Sequence, residues 1–146
     1  MKKFSFPLVR VLDWRRTQAG IEEMKLMRLH AELREIESRI AYARAEQADS
    51  ERDLIQSGSL TGDSLAALDA FKRSVASECG RLETQAAGAR KRITQQMEVV
   101  TAGRRNALLL EKLGDKKFAE WRAVYFREIE QQADDAHASR RHCRGS

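Results

Sequence analysis

QSGSLTGDS, residues 56–64, is the stretch of sequence that decides the fold, because it interrupts a chain that otherwise reads as continuous helix. It contains two glycines and three serines, which supply the backbone freedom and the local hydrogen bonds that a tight reversal needs. Thr61 or Asp63 is suited to accept hydrogen bonds from the free backbone amides at the start of a second helix. We therefore predict a bend at residues 56–64 between two antiparallel helices.

The composition is typical of a protein made of long helices. Charged residues make up 34% of the 146-residue chain, aromatic residues make up 6%, and there is a single proline. A chain of this length allows one domain, and its thinly spread apolar residues favour a narrow seam over a globular core. We expect one coiled-coil domain over residues 1–146, with a first helix at about 6–56, a second helix at about 63–138 and a frayed tail at 139–146.

Seam residues recur at alternating steps of three and four on both sides of the bend. The series before the bend is Leu26, Leu29, Leu33, Ile36, Ile40, Ala43, Gln47, Ser50 and Leu54, and the series after it is Leu65, Leu68, Val75, Cys79, Leu82, Ala86, Ala89, Ile93, Val100, Ala107 and Leu110. This heptad spacing predicts an all-α fold, a long antiparallel two-helix coiled coil (helical hairpin) with the second helix longer than the first. A bend centred near residue 60 would place Ile40 opposite the turn at 79–82. Lys72 and Gln96 interrupt the seam, and polar seam positions commonly fix helix register.

The second helix is predicted to extend past the first. From about Leu113 onward no helix of the chain is expected to cover it. This part contains four aromatic residues, namely Phe118, Trp121, Tyr125 and Phe126. An uncovered apolar helix face indicates a docking partner or self-association, including a homodimer of the isolated protein. The alternative is that aromatic residues near the N-terminus, namely Phe4, Phe6 and Trp14, fold against this face.

The charge pattern favours a solvated helix surface. The net charge is +5, but acidic and basic residues are interspersed along both helices. Basic doublets such as Arg104–Arg105 leave a nucleic-acid-associated coiled coil open as an alternative, although an acidic protein surface is the favoured partner and no nucleic acid is expected. No apolar run is long enough for a membrane span, and the N-terminus lacks the features of a signal peptide, so we expect a cytoplasmic protein with free thiols.

No residue pattern points to catalysis. The sequence has no glycine-rich loop between a strand and a helix that would cradle a phosphate. His137, His142 and Cys143 are metal-ligating residue types, but a fourth ligand is missing. We expect neither enzyme activity, nor a metal, nor a cofactor.

The two ends of the chain resemble a known family. FSFPLVRVLDWRR (residues 4–16) and RRNALLLEKLGDKKFAEWR (residues 104–122), with the hairpin between them, are similar to FliJ, the coiled-coil protein of the flagellar type III export apparatus. The resemblance covers about residues 4–141. It implies a hairpin similar to the central stalk of rotary ATPases, whose open end enters the hexameric export ATPase and promotes ring assembly and ATP hydrolysis. It also implies contacts with the export-gate membrane protein and with export chaperones, and a position at the inner face of the cell membrane.

The resemblance and the aromatic overhang together name candidate binding residues. The candidates for the ATPase-facing end are Phe4, Phe6, Leu8, Leu12, Arg104, Arg105, Leu109, Leu113, Phe118 and Trp121. Weaker candidates for contact with the export gate lie nearer the bend, at Ala43, Phe71 and Val75. Besides the nucleic-acid alternative, a general export chaperone or adaptor that does not act on the ATPase stays open.

Overall fold

Two helices account for nearly all of the chain. The computed structural model describes residues 2–58 and 60–145, and within them it contains α1 (Val9–Gln56, 48 residues), α2 (Gly62–Arg144, 83 residues) and no strand. The predicted all-α hairpin with a longer second helix is confirmed. Ser59, inside the predicted bend, and Ser146, at the end of the predicted tail, lie outside the described residues, as does Met1.

The bend between the helices uses one glycine and one threonine. α1 ends at Gln56, and Gly58 has a φ of 71°, a left-handed conformation that glycine adopts without a steric penalty. α2 begins at Gly62, and the Thr61 hydroxyl accepts a hydrogen bond from the Ser64 backbone amide at 3.1 Å. Thr61, the first of the two predicted candidates, is therefore the residue that caps α2.

Both outer helix ends differ from the predicted ones. α1 begins at Val9 rather than near residue 6, because Pro7 and Leu8 form a turn in which the Val9 amide donates to the Phe6 carbonyl at 3.2 Å. α2 continues to Arg144 rather than ending near residue 138. No proline or glycine interrupts the sequence between Gly114 and Gly145, and the last turn carries basic side chains that favour the carbonyl end of a helix. No helix in the described residues is both long and apolar enough to cross a membrane.

The chain forms two compact units, of which one comprises residues 21–101. Its core is a cluster of Ile40, Val75, Cys79 and Leu82. Ile40 thus meets the turn at 79–82, as the bend centred near residue 60 predicted. Every predicted seam residue of this unit is buried or half-buried except Leu65, which is 52% exposed. The seam assignment is confirmed apart from that position next to the bend.

Small and polar seam residues set how the two helices of this unit meet. Ala86 and Ala89 are completely buried, so a short side chain fills the space between the helices there. The Gln96 amide donates to the Glu22 carbonyl at 3.0 Å and to the Glu22 carboxylate at 2.6 Å. The Lys72 ammonium lies 2.9 Å from Glu51. A one-turn slip of one helix would separate these pairs, so they favour a single register.

The second unit comprises residues 1–20 and 102–146, of which 2–20 and 102–145 are described. Leu12, Ala19 and Ala107 are buried between its two helical segments. A Cβ placed on Gly103 would lie 3.7 Å from the Ala19 Cα, so the two backbones approach closely at that point. Arg16 and Glu111 form an ion pair across the same segments, with 2.8 Å between nitrogen and oxygen.

Candidate functional site

Residues 2–8, the N-terminal strap, lie against α2 before α1 begins. The Phe6 ring lies 3.3 Å from the position that a Cβ on Gly114 would take. The Phe4 ring packs edge-on against Phe118, with 5.1 Å between centroids and an interplanar angle of 73°, and lies 5.8 Å from the Trp121 ring. The Trp121 indole nitrogen donates a hydrogen bond to the Lys2 carbonyl at 3.2 Å. The strap is therefore held at three successive positions on α2.

These contacts correct one prediction about the end of α2. The sequence predicted an uncovered helix from about Leu113 onward, but the strap covers part of its apolar face as far as Trp121. The physical reason is that an extended segment needs fewer residues than a helix to span the same length. The alternative was right for Phe4 and for Phe6, whose ring lies against the same face at Gly114. It was wrong for Trp14, which is 54% exposed and lies beneath the Arg15 guanidinium at 5.0 Å.

Four aromatic side chains continue along α2 from the strap towards the C-terminus. We call Phe118, Trp121, Tyr125 and Phe126 the aromatic ladder. Trp121 stacks on Phe118 at 5.8 Å and on Tyr125 at 5.2 Å, and Tyr125 meets Phe126 at 6.0 Å. Phe118 and Tyr125 are 42% and 36% exposed, and Phe126 is 54% exposed. Apolar surface of this extent on a helix indicates a place where another molecule binds.

All ten candidates for the ATPase-facing end lie in the unit that contains both termini. Phe4, Phe6 and Trp121 are half-buried in contact with one another or with α2. Leu12 is buried in the helix pair and has a packing role. The remaining six candidates are exposed, namely Leu8, Arg104, Arg105, Leu109, Leu113 and Phe118. The structure thus brings Phe4 and Phe6 of the first terminal motif against Gly114, Phe118 and Trp121 of the second.

The three weaker candidates belong to the other unit. Val75 is buried in its core cluster, and Ala43 and Phe71 are half-buried against that cluster. Packing between α1 and α2 explains the apolar character of all three residues. Their contact with an export gate stays a prediction.

Gly114 was missed as a functional candidate. The sequence shows it as a glycine inside a helical pattern, four residues after Leu110, and that spacing marks the face that points towards the other segment. What the spacing does not reveal is that a phenylalanine ring, rather than a helix, lies against it. Tyr125 and Phe126 were noticed as aromatic residues but were not named as binding candidates.

The ionisable side chains with a shifted pKa lie in pairs on the helix surfaces. Within residues 2–58 and 60–145 no three histidine, cysteine, aspartate or glutamate side chains come together as a metal site would require. Hydrogen bonds explain three shifted carboxyl groups: one from Gln96 and then one from Lys25 lower the pKa of Glu22, and ones from Lys72 and Gln47 lower the pKa of Glu51. A hydrogen bond from Arg81 lowers the pKa of Glu78.

Comparison with known proteins identifies the family. The family model described as Flagellar FliJ protein matches residues 4–146, nearly the whole chain, and includes both terminal motifs. No curated protein and no solved structure matches the chain significantly. The chain therefore belongs to the FliJ family, whose members are non-catalytic components of the flagellar protein export apparatus.

Proposed function

We propose that this protein is the central stalk of the flagellar export ATPase. The unit that contains both termini inserts into the hexameric ATPase ring, promotes ring assembly and raises ATP turnover. The protein works in the cytoplasm at the inner face of the cell membrane. It contributes no catalytic group of its own.

The observation that carries the proposal is the meeting of the two terminal motifs in one surface. Phe4 from the first motif packs on Phe118 and Trp121 from the second, and the aromatic ladder continues from there with exposed rings. Large aromatic residues are the side chains that most often dominate binding energy at protein interfaces. A stalk needs its strongest contacts at the end that enters the ring.

Surface charge supports the same function. Ion pairs link the helices on the outside of the protein, as between Arg16 and Glu111 or between Arg44 and Glu83 at 2.6 Å. Exposed pairs of this kind contribute little to stability. A surface of alternating sign suits repeated contact with a ring interior, because no single orientation binds much more strongly than the others.

The proposal includes the export gate as a second partner and export chaperones as a third. The gate contact is assigned to the surface around Ala43, Phe71 and Val75, where Ala43 and Phe71 pack against the cluster that contains Val75. This surface belongs to the unit of residues 21–101, so one molecule can contact two partners through separate units.

ATP turnover by the purified export ATPase tests the stalk function. We compare the wild-type chain with a Phe118→Ala, Trp121→Ala double variant. Tyr42→Ala is the matched control, since Tyr42 is 67% exposed and lies in the other unit. Loss of one hot-spot residue costs about 2 kcal/mol, which is roughly 30-fold in affinity, so loss of two is expected to raise the concentration that gives half-maximal stimulation by about 30-fold or more. Circular dichroism checks that helix content is unchanged.

Three results would contradict the proposal. Equal stimulation by the wild type and the double variant would remove the aromatic ladder from the ATPase contact. Equal loss in the Tyr42→Ala control would mean that the effect is not local. Absence of stimulation by the folded wild type, together with direct binding of export chaperones, would favour the adaptor.

A further inference from the structure

An open groove of about 560 Å³ lies between the N-terminal strap and α2. Its floor is apolar, with Phe4, Phe6, Leu113 and Trp121 among the lining residues. The volume is large enough for a bulky side chain of another protein. Because residues 2–8 supply most of the lining, the groove exists only while the strap lies on α2.

The rim of the groove is basic. Lys2 and Lys3 on the strap and Lys117 on α2 line it, and all three are exposed. Lys117 lies 3.6 Å from Glu120, which is one turn away on α2 and is not part of the lining. An apolar floor with three ammonium groups at its edge is complementary to an acidic segment that carries an apolar side chain.

Gly114 determines whether the strap can close. A Cβ at this position would lie 3.3, 3.5 and 3.7 Å from three atoms of the Phe6 ring, so the ring packs directly against the glycine and leaves no room for a side chain beyond Cβ. An added methyl group would require the Phe6 ring to shift by a few tenths of an ångström, and a longer side chain such as leucine would displace it. Gly88, on the same helix, has no atom within 4 Å of the position that a Cβ would take and offers a matched comparison.

We propose that the groove between the N-terminal strap and α2 binds an acidic segment of the partner through one apolar anchor side chain. The strap forms this groove by packing Phe6 against Gly114. The proposal rests on the proposed function in taking the export ATPase as that partner. It adds the chemistry of the contact and the requirement that the strap be closed.

Closure of the strap is tested on the protein alone. The chain has two tryptophans, so a Trp14→Phe background leaves Trp121, which contacts the strap, as the single reporter. In this background Gly114→Leu is expected to shift Trp121 emission to longer wavelength and to speed amide exchange in residues 2–8. Gly88→Leu makes the same change in helix propensity and is expected to do neither. An unchanged Trp121 spectrum in Gly114→Leu would overturn the role of Gly114.

The chemistry of the partner is tested by direct binding to the purified export ATPase, measured separately from turnover. Lys3→Glu with Lys117→Glu is expected to weaken binding about tenfold at low salt, and the difference should shrink as salt is raised. Lys91→Glu with Arg92→Glu makes the same change in charge in the other unit and is expected to bind within about twofold of the wild type. Gly114→Leu is expected to bind as weakly as the lysine variant.

The outcomes separate this inference from the proposed function. If the lysine variant, or Gly114→Leu with its strap open, binds the ATPase with wild-type affinity, the groove is not the binding site, and the proposed stalk function is unaffected. Binding that depends on the lysines without any stimulation of turnover would overturn the stalk function and support the groove. If the wild type does not bind the ATPase at all, the partner named here is wrong and the inference fails.

Discussion

Leu82→Ala is the substitution whose cost follows most directly from the structure. Leu82 is 1% exposed and packs in the cluster with Ile40, Val75 and Cys79. The change removes three carbon atoms, worth about 2.4 kcal/mol at roughly 0.8 kcal/mol each. The cavity left behind adds to this loss, so we expect the free energy of unfolding to fall by about 3 kcal/mol, inside the roughly 2–5 kcal/mol seen for buried leucines.

Leu65→Ala is the matched control for that measurement. The sequence places Leu65 and Leu82 on the same seam, but Leu65 is 52% exposed and lies outside the buried cluster. The Leu65 side chain is about half as buried as that of Leu82, and its truncation leaves no enclosed cavity. We therefore expect Leu65→Ala to lower the free energy of unfolding by about 1 kcal/mol or less. Both free energies come from urea titrations followed by the helical circular dichroism signal. Losses that agree to within about 0.5 kcal/mol would refute the reasoning, because they would mean that burial in this cluster does not determine stability.

Three further perturbations test other features of the molecule. Charge reversal of the exposed Arg104 and Arg105 is expected to reduce stimulation of the export ATPase several-fold at low salt, measured as ATP turnover, and unchanged stimulation would count against their role in the contact. The pKa of Glu51 is lowered in the folded state by the Lys72 hydrogen bond, so its stabilisation is present above the ordinary pKa of about 4.5 and is lost as pH falls below it. Glu51→Gln should therefore have a lower free energy of unfolding than the wild type at pH 7, and urea titrations should show this difference shrinking towards pH 3. A difference that does not change with pH would mean that the charge of Glu51 is not its cause. Gly88→Ala should stabilise α2 by up to about 1 kcal/mol, seen as a higher melting temperature, since nothing lies within 4 Å of the added methyl group, and a lower melting temperature would show a contact at that position.

The hairpin was predictable because its signals repeat. Each turn of the seam adds an apolar residue at the same spacing, so an error at one position, such as Leu65, does not alter the fold that the whole series predicts. The bend was predictable for a different reason, since glycine and serine cluster nowhere else in the chain with such density. Whether Thr61 or Asp63 caps α2 was open, because both side chains carry a suitable acceptor.

The N-terminal strap was not predictable to the same degree. It has seven residues and no periodic pattern. Pro7 is favoured in the first turn of a helix, but it is equally compatible with a turn that precedes the helix, as found here. The aromatic residues on both sides of the contact gave a signal, namely Phe4 and Phe6 in one motif and Phe118 and Trp121 in the other. That signal named the participants of the candidate site without giving their arrangement, because ring contacts depend on coordinates that no spacing rule supplies.

The glycines of α2 show why arrangement matters more than residue type. Gly80 and Gly88 have open space where a side chain would be, so their effect on the helix is a loss of roughly 1 kcal/mol each relative to alanine. Gly103 lets the backbone of α1 approach at Ala19, and Gly114 receives the ring of Phe6. The two glycines with a contact both lie in the unit that carries the terminal motifs. Intrinsic helix stability is reduced there in exchange for close packing of α1 and the strap on α2, and this packing is what brings two distant segments of sequence together at the proposed binding surface.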